Sequence, residues 1–473
     1  MMLGEKVENF VVKREDDQFK RLNVIVIGAG YVGLCTGIVM AHIGHSVLCI
    51  DINTDKIALL EQGMAPIYEI NLEAMLAGCR NNLSFTTELP KRLGDTDIVI
   101  IAVGTPSKEN GDADMQYVDQ VIIDITSKIE EAQDLIIVMK STVPIGSNQE
   151  MFRRVNNLLS DRGVQANVNF VSNPEFLREG KAIYDSFYPD RIVVGGNNDS
   201  AIGAVKNMYY PLLNKTFIMP QYMDQNFESS LPSLVVTDFL TAEMIKYASN
   251  AFLATKVSFI NEIAGLCDKV GADILDVSIG MGLDNRIGKG FLHAGLGWGG
   301  SCFPKDTLAL QSIAREYDYE MPIIEAARTI NTRQIIFVLR KIQGLLKVIR
   351  GKKIAVLGLS YKPGTDDIRD SVSVEIVKRI VRLGGSVSVY DPVALDNARK
   401  ELASDSVNFC SSIICAIESA DAVLIATEWQ EFLEVDWREV KLKMRSPIII
   451  DGRNLLHKKI LSEMGFTYVG VGR

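Results

Sequence analysis

A glycine-rich turn near the start of the chain restricts the fold more than any other stretch. Residues 22–28 are apolar and rich in β-branched side chains, as expected for a strand buried in a parallel sheet. They run directly into Gly-Ala-Gly-Tyr-Val-Gly at residues 28–33, and a helical stretch follows at Leu34 to Ile43. A second strand, Ser46 to Ile50, ends at Asp51. This strand–turn–helix–strand order predicts a Rossmann-like unit that binds a dinucleotide.

The same stretch indicates which dinucleotide to expect. Gly28 and Gly33 would permit the tight turn and the approach of a pyrophosphate to the helix N-terminus. Asp51 would accept hydrogen bonds from ribose hydroxyls, and its charge would repel a 2′-phosphate. We therefore expect NAD rather than NADP. A glycine-rich turn followed by a solvated aspartate is the structural alternative.

Polar segments follow three further predicted strands. The strands are residues 97–103, 135–138 and 168–172, and the segments after them begin at Gly104, Ser141 and Asn173. Open α/β sheets bind ligands at the carboxyl ends of their strands. Three such segments in succession predict a binding edge, although any one of them could be turn chemistry alone.

From about Asp238 to Val270 the apolar residues recur at spacings of three, four or seven. This period predicts a single helix about 45 Å long, of the kind that joins domains or forms a subunit interface. Lys246 and Asn250 are four residues apart and so share one face of it. They are either a solvated polar stripe or a functional pair.

A single cysteine, Cys302, follows a run of glycines at residues 295–300 and precedes Lys305 and Asp306. A cysteine near a helix N-terminus, with a lysine close by, is placed for stabilisation of its thiolate. The commoner alternative is an ordinary buried cysteine beside a glycine-rich turn.

After about residue 349 the first pattern returns, with strands predicted at residues 353–358, 386–390, 419–427 and 447–451. The second copy lacks the G-x-G-x-x-G motif, so a second NAD site is not expected there. Its strand-end loops carry Lys362, Arg369 and Arg453, which could face a diphosphate or simply lie on the surface.

These patterns predict an α/β chain with two Rossmann-like, doubly wound parallel-sheet domains, joined by a long central helix and a helical dimerisation region. We place an N-terminal extension of no assigned function at residues 1–21 and an NAD-binding domain at 22–236. A central helical domain with Cys302 would span 237–330, and a C-terminal Rossmann-like domain would span 331–473.

Composition excludes several classes of function. A net charge of −9 without any basic run argues against nucleic-acid binding. No stretch of 18 apolar residues and no signal peptide is present, so we expect neither a membrane protein nor an exported one. The seven cysteines form no C-x-x-C pair and the four histidines do not cluster, so we expect reduced thiols, a cytoplasmic location and no metal site.

Ten motifs in register resemble the UDP-glucose/GDP-mannose dehydrogenase family, the nucleotide-sugar 6-dehydrogenases, and most closely its UDP-glucose branch. The similarity extends from Leu22 to the final residues. The motifs are GAGYVG, VGTP, STVPIG, NPEFLREGKAIYD, DRIVVG, AEMIKYASNAFLATKVSFINE, GLGWGGSCFPKD, YKPGTDDIRDS, TEWQEF and DGRN. The resemblance implies oxidation of a primary alcohol to a carboxylate by two NAD⁺ in succession, without release of the aldehyde.

The resemblance also implies catalytic roles. Cys302 would be the nucleophile that forms a thiohemiacetal and then a thioester, and Lys246 and Asn250 would stabilise the oxyanions. Asp306 would act with an ordered water as a general base. Glu175 and Thr142 would orient or activate the hydrolytic water. Which carboxylate serves which step stays open.

Binding residues follow from the same resemblance. The implied NAD contacts are Gly28, Val32, Gly33, Asp51, Lys56, Thr105, Thr142, Glu179, Lys305 and Arg369. The implied sugar-nucleotide contacts are Glu175, Phe176, Leu177, Arg178, Glu179, Lys246, Asn250, Phe291, Leu292, His293, Ala294, Gly295, Gly299, Phe303, Lys362 and Arg453. Arg286 would reach the substrate bound to a neighbouring subunit, which implies a homodimer or a higher homo-oligomer.

Two alternatives stay open. A sibling enzyme would act on GDP-mannose or on an N-acetylated UDP-sugar, and no residue here reads uracil or the sugar C2 substituent by its chemistry alone. A non-catalytic sugar-nucleotide-binding protein could share the fold, but the presence of Cys302, Lys246, Asn250 and Asp306 argues against it. The sequence departs from the family in its longer N-terminal extension and in a longer connection from Gln221 to Val236.

Overall fold

The computed structural model describes residues 19–220, 222–223 and 231–473. Most of the predicted N-terminal extension and half of the Gln221 to Val236 connection lie outside the described residues. The chain divides into two compact units, the first ending at Ala248 and the second beginning at Ser249.

The first unit contains an eight-stranded sheet with the order β3-β2-β1-β4-β5-β6-β7-β8. Through β6 this is the doubly wound order that the glycine motif predicts, and every neighbouring pair is parallel except β6 and β7. The strands are β1 (Asn23–Ile27), β2 (Ser46–Ile50), β3 (Leu83–Thr86), β4 (Ile98–Ile101), β5 (Asp134–Met139), β6 (Asn167–Ser172), β7 (Arg191–Gly195) and β8 (Ser233–Thr237).

Helices cover both faces of this sheet, and the apolar run of β1 shows why. Val24 and Val26 pack into one hydrophobic core, while Ile25 and Ile27 pack into another. Successive strand side chains point to opposite faces, so a continuous apolar strand requires cover on both. The helices are α1 (Tyr31–His42), α2 (Thr54–Glu61), α3 (Leu72–Cys79), α4 (Gln116–Lys128), α5 (Ser147–Asp161), α6 (Ala182–Phe187), α7 (Asp199–Met208) and α8 (Tyr210–Asn214).

A long helix, α9 (Phe239–Val270), begins in the first unit and ends in the second. Its 32 residues make it about 48 Å long. The prediction of one uninterrupted helix from Asp238 to Val270 is confirmed.

The second unit repeats the Rossmann pattern in a six-stranded parallel sheet with the order β11-β10-β9-β12-β13-β14. Ile354 and Val356 of β9 pack on one face, and Ala355 and Leu357 pack on the other. The strands are β9 (Lys353–Leu357), β10 (Ser386–Tyr390), β11 (Val407–Phe409), β12 (Ala422–Ile425), β13 (Ile448–Asp451) and β14 (Thr467–Gly470). The prediction of two Rossmann-like sheets linked by a long helix is therefore confirmed.

The remaining helices of the second unit precede the sheet or connect its strands. They are α10 (Ile274–Gly282), α11 (Phe303–Glu316), α12 (Pro322–Leu346), α13 (Val372–Arg382), α14 (Leu395–Glu401), α15 (Ile413–Ile417), α16 (Trp437–Lys443) and α17 (Lys458–Glu463), with a 3₁₀ turn at Gln430–Phe432.

Candidate active site

The turn between β1 and α1 has the shape that a dinucleotide needs. Gly28 has φ +102°, and a Cβ there would lie 2.6 Å from the carbonyl oxygen of Ala102. A Cβ on Gly33 would lie 1.8 Å from the carbonyl oxygen of Gly28, so only glycine fits at either position. At Gly30, apart from the glycine itself and its two chain neighbours, no heavy atom of a described residue lies within 4 Å of the Cβ position. The backbone therefore closes the turn on one side and leaves room for a pyrophosphate on the other.

Asp51, at the end of β2, is held against this turn. One of its carboxylate oxygens accepts the backbone N–H of Ala29 at 2.8 Å and the ammonium of Lys56 at 3.3 Å. The other accepts the backbone N–H of Asn53 at 3.0 Å. The side chain keeps 12% of its surface accessible, which leaves acceptor positions for ribose hydroxyls. The turn and this acid fit an NAD molecule, and Lys56 lies beside Asp51. That Lys56 contacts the NAD stays a prediction.

Other predicted NAD contacts lie at the carboxyl ends of neighbouring strands in the same unit. Thr105, after β4, donates its hydroxyl to the carbonyl of Thr142, after β5, at 2.7 Å. Val32 lies in the first turn of α1, and Glu179 is buried in the segment after β6. The strand-end segments of the first sheet thus meet at one edge, as the parallel order requires.

A buried ion pair stands at the end of β6. The Lys246 ammonium of α9 donates to the Glu175 carboxylate at 2.7 Å and to the Glu175 backbone carbonyl at 2.7 Å. It also lies 5.5 Å from the centre of the Phe176 ring. The second carboxylate oxygen of Glu175, Oε2, is buried and has no hydrogen-bond partner among the described residues. Buried charges require partners, so this oxygen marks a place where a donor from outside the protein is expected.

Glu243, which the sequence patterns did not single out, fixes α9 to the segment that carries Thr142. Its carboxylate accepts the backbone N–H groups of Gly146 and Asn148 at 2.6 and 2.9 Å, and the Asn148 amide at 2.7 Å. These contacts cap the start of α5, and burial raises the pKa of Glu243. An acidic residue one turn before Lys246 on an otherwise apolar helix face was the signal available in the sequence.

Cys302 lies in the second unit, at the N-cap of α11. Pro304 occupies the first turn of that helix, where its missing N–H costs little. The Ser301 hydroxyl lies 3.6 Å from the Cys302 sulfur. The positive end of the helix dipole therefore lies at the position that a thiolate would occupy.

Asp306, one turn into α11, contacts two other predicted residues, Lys305 and Asn250. It is 1% exposed, and its two oxygens accept the Lys305 ammonium at 2.5 Å and the Asn250 amide at 2.6 Å. Lys305, predicted to contact NAD, faces Asp306 in this structure. Each carboxylate oxygen has two lone pairs, so one acceptor position per oxygen remains for a water.

The glycine-rich segment before Cys302 is braced by buried and half-buried polar side chains of α9 and α12 that sequence reasoning missed. Asn261 accepts the Gly295 N–H at 2.8 Å, and Gln334 donates to the Gly295 carbonyl at 2.6 Å. Asn331 accepts the Trp298 N–H and donates to its carbonyl, both at 2.8 Å. These residues interrupt apolar helical periods, which was their only signal in the sequence.

The predicted sugar-nucleotide cations of the second unit already have contacts. Arg453 donates to the carbonyls of Ala426 at 2.8 Å and Tyr361 at 3.2 Å. Lys362 lies 5.3 Å from the centre of the Tyr361 ring. Arg369, which the resemblance implies as an NAD contact, is paired with Asp367 at 2.6 Å.

The remaining predicted contacts are distributed between the two units. Phe291 has φ +63°, which is strained for a residue other than glycine, and its ring lies 6.2 Å from that of Phe303. A Cβ on Gly299 would lie 2.1 Å from the carbonyl oxygen of Asp370. Leu177 follows β6, and Arg178 pairs with Asp185. Leu292 and Ala294 are buried, whereas His293 is exposed. Arg286 is exposed and pairs with Asp284.

The second sheet has no comparable dinucleotide turn. Asp391, at the end of β10, occupies the place that Asp51 has after β2, but it is fully buried. One of its oxygens accepts the N–H groups of Leu359 and Ser360 at 2.7 and 3.0 Å. That the second sheet binds no NAD stays a prediction.

Among the described residues, no group of three or more histidine, cysteine or acidic side chains is arranged to hold a metal ion. The seven cysteines, all of them among the described residues, form no disulfide with one another. No helix in the described ranges has the length and apolar character needed to cross a membrane.

The fold and the glycine turn define an NAD-dependent dehydrogenase. Three domain profiles of one family match the chain: the NAD binding domain at residues 22–213, the central domain at 240–333 and the UDP binding domain at 355–458. The chain belongs to the UDP-glucose/GDP-mannose dehydrogenase family.

Individual relatives agree with this assignment. A UDP-glucose 6-dehydrogenase of Rickettsia bellii is 44% identical over 95% of this chain and 99% of its own length. One from Rhizobium meliloti is 42% identical over 96% of this chain and 100% of its own length. The solved structure of a UDP-glucose dehydrogenase from Pyrobaculum islandicum superposes with a TM-score of 0.84 at 33% identity, covering 97% of this chain and 100% of that one.

Proposed function

We propose that the protein is a UDP-glucose 6-dehydrogenase, which oxidises UDP-glucose to UDP-glucuronate with two NAD⁺ and one water. The observation that carries the proposal is Cys302 at the N-terminus of α11, followed one turn later by the buried Asp306–Asn250–Lys305 cluster. This arrangement occurs in a chain whose first unit has the NAD turn. The names of the relatives support UDP-glucose as the sugar nucleotide.

In the proposed mechanism, the turn from Gly28 to Gly33 and Asp51 would hold NAD⁺, which would supply the hydride acceptor for C6 of the sugar. Lys246 stabilises the alkoxide that forms as the C6 hydroxyl loses its proton, and Asn250 donates to the same developing charge. Asp306 takes up that proton through an ordered water, using the acceptor positions left beside Lys305 and Asn250.

Cys302 then adds to the aldehyde carbon, which keeps the intermediate covalently bound. A sulfur nucleophile suits this role because it adds readily to a carbonyl and later leaves. Loss of a second hydride converts the thiohemiacetal into a thioester. Glu175 and Thr142 orient the water that hydrolyses this thioester, and the unpartnered Oε2 of Glu175 is the acceptor that such a water needs.

Binding of the remaining groups follows the same proposal. Asp51 and the turn from Gly28 to Gly33 hold the NAD, and Lys362 and Arg453 contact the diphosphate of the sugar nucleotide. The segment from Glu175 to Glu179 and the one from Phe291 to Gly295 hold the sugar. We place the enzyme in the cytoplasm, where the free thiols would stay reduced.

The proposed quaternary state is a homodimer built on α9. Phe252, Phe259 and Leu266 are 63%, 43% and 58% exposed and recur every seven residues. Apolar side chains at heptad spacing form a stripe that a second helix can cover. A second copy of this chain is the proposed occupant, and Arg286 would then reach the substrate of the partner.

Substrate specificity is the least constrained part of the proposal. The solved structure of a UDP-D-ManNAc dehydrogenase from Pyrococcus horikoshii superposes with a TM-score of 0.80 at 27% identity, so the fold does not separate the branches. Activity on GDP-mannose or an N-acetylated UDP-sugar is therefore the second candidate.

The decisive experiment is the amount of NADH formed per sugar nucleotide consumed, measured with UDP-glucose, GDP-mannose and UDP-N-acetylated hexosamines. We expect two NADH per UDP-glucose and none with the others. In Cys302→Ala we expect no UDP-glucuronate, because the aldehyde has no thiol to capture it. Formation of UDP-glucuronate by that variant would contradict the thioester mechanism. Absence of NADH with every substrate, in folded protein, would instead favour a non-catalytic binding protein.

A further inference from the structure

A cavity of about 160 Å³, lined by both polar and apolar side chains, lies within the first unit beside the segment that follows β6. Its floor is formed by the buried residues Lys140, Asn173 and Tyr209, and Glu175 lies in its wall. The exposed residues Arg178 and Asp190 also line it. The cavity therefore extends from solvent to Glu175.

The floor of the cavity is a connected hydrogen-bond network. The Lys140 ammonium donates to the Asn173 side-chain oxygen at 3.1 Å and to the Tyr209 hydroxyl at 3.2 Å. Tyr209 donates to the same Asn173 oxygen at 2.6 Å, and the Asn173 amide donates to the Val193 carbonyl at 2.8 Å. The network fixes the orientation of all three floor residues.

This network leaves one N–H group of the Lys140 ammonium without an acceptor among the described residues. An ammonium carries three N–H groups, and two of those on Lys140 have acceptors in the described chain. Both acceptors are neutral, so the buried charge depends on further hydration. A cavity of this volume has room for several waters, and the polar groups of Lys140, Asn173 and Tyr209 that line it give those waters hydrogen-bond partners.

Glu175, which lines the same cavity, has one carboxylate oxygen that accepts no hydrogen bond from the described residues. Its Oε1 is taken by Lys246, and its Oε2 has no partner among the described residues. A chain of waters from Lys140 towards Glu175 would satisfy both groups, with Glu175 moving slightly to meet it, because Oε2 has less than 1 Å² of accessible surface.

We propose that this cavity supplies the hydrolytic water and carries away its proton, with Lys140, Asn173 and Tyr209 as the positioning residues that order the water chain. The inference rests on the proposed function. Sugar and NAD would cover the front of the segment from Glu175 to Glu179, and a route from behind lets water reach Glu175 while both are bound.

The step balances without any additional reactant. The water oxygen bonds to the thioester carbon, and the C–S bond breaks with its electron pair on the Cys302 sulfur. The proton lost by the water passes to Glu175 and then through the cavity waters to solvent. The products are the carboxylic acid, which ionises, and the thiolate, which is ready for another turnover.

The test is the rate at which the acyl-enzyme on Cys302 decays in a single turnover. Enzyme, UDP-glucose and NAD⁺ are mixed and quenched in acid, and the adduct is followed by intact mass while NADH is followed by absorbance. In Tyr209→Phe and Lys140→Met we expect both hydride transfers at wild-type rates and decay of the adduct slowed by roughly tenfold or more. Lys140→Arg should restore part of the decay rate.

Ser186→Ala is the matched control, because Ser186 also lines the cavity but donates its hydroxyl to the Ala182 carbonyl at 2.6 Å. Its adduct should decay at the wild-type rate. Decay at the wild-type rate in Tyr209→Phe, or equal slowing of hydride transfer and decay, would overturn the inference. Tyr209→Phe removes one oxygen atom, so it decides the matter even where Lys140→Met fails to fold. Failure of the proposed function would show differently, as the absence of any adduct in the wild type.

Discussion

Asp51 and Asp391 show how one residue type takes different roles in two similar sheets. Asp51 keeps 12% of its side chain accessible beside the glycine turn, whereas Asp391 is fully buried by backbone donors. Only an accessible carboxylate can accept from ribose hydroxyls or repel a phosphate. We therefore expect the choice of cofactor to depend on Asp51.

Asp51→Ala should lower the preference for NAD⁺ over NADP⁺. Loss of a charge-assisted hydrogen bond costs about 1.5–3 kcal/mol, which corresponds to roughly tenfold or more in kcat/KM for NAD⁺. Values of kcat/KM for both cofactors measure the change. An unchanged ratio would show that Asp51 does not face the ribose.

His45 provides a pH-dependent contribution to the stability of the first unit. It is fully buried, accepts the Leu22 N–H at one ring nitrogen at 3.2 Å, and donates to the Met208 carbonyl from the other at 2.9 Å. Burial lowers the pKa of this histidine, so the unfolded chain binds more protons between the two pKa values. The free energy of unfolding therefore rises with pH through that window. The contribution of His45 to it is present at neutral pH and is lost as the pH falls below about 6.5.

His45→Gln should flatten the dependence of Tm on pH between about pH 7 and pH 5, because the titrating group is gone. The variant should also be less stable than the wild type at neutral pH. His457→Gln is the control, since His457 is exposed and its loss should leave the slope unchanged. Equal slopes in His45→Gln and the wild type would contradict the assignment.

Residue pairs in the site show where sequence reasoning stops. Apolar runs and glycine spacing predict β1, α1 and β2 because those signals are local. The contact between Lys246 and Glu175 joins residues 71 positions apart, and that between Asn250 and Asp306 joins residues 56 apart. No period or spacing in the chain carries such a pairing. The resemblance to a family supplied those residues, and the structure supplied their partners.

Among the larger elements, α12 acts as a support for the Cys302 segment. Asn331 makes two hydrogen bonds to the backbone of Trp298 from an otherwise largely apolar helix face. This contact explains why a glycine-rich stretch, which is flexible by composition, takes one conformation. The positions of β7 and β8 in the sheet were also hard to predict, because they depend on which strands pair and not on a local sequence pattern.

Asn331→Ala should destabilise the second unit by about 2 kcal/mol, because two buried backbone groups lose their partners. We also expect turnover to fall by roughly tenfold, since Cys302 follows the released segment. Thr332→Ala, which alters an exposed neighbour on the same helix, should change stability by less than about 0.5 kcal/mol. Denaturant unfolding and NADH production measure the two effects. Equal stability and equal NADH production in the two variants would contradict the role of Asn331 in holding the Cys302 segment.

At the scale of the whole molecule, the exposed stripe of α9 matters most. Phe252, Phe259 and Leu266 lie on an exposed face of α9, and other residues of the same stretch of the helix, such as Ile260 and Ala264, are buried. A stripe along a helix of about 48 Å can contribute much of the roughly 1,200–2,000 Å² that a stable dimer interface buries. The same dimer would deliver Arg286, which is exposed and paired only with Asp284 among the described contacts, to the substrate of the partner.

Phe259→Glu should therefore convert the dimer into a folded monomer, because a charge in the centre of the stripe cannot be buried without a partner. Light scattering gives the mass, and circular dichroism checks the fold. Leu442→Glu is the matched control, since Leu442 is 86% exposed on α16 and its replacement should leave the dimer intact.

If Arg286 acts across the interface, Arg286→Ala should raise the KM for UDP-glucose while the protein stays dimeric, and the monomeric variant should show at least the same rise. A monomer with wild-type KM would separate assembly from catalysis and place the substrate contacts within one chain.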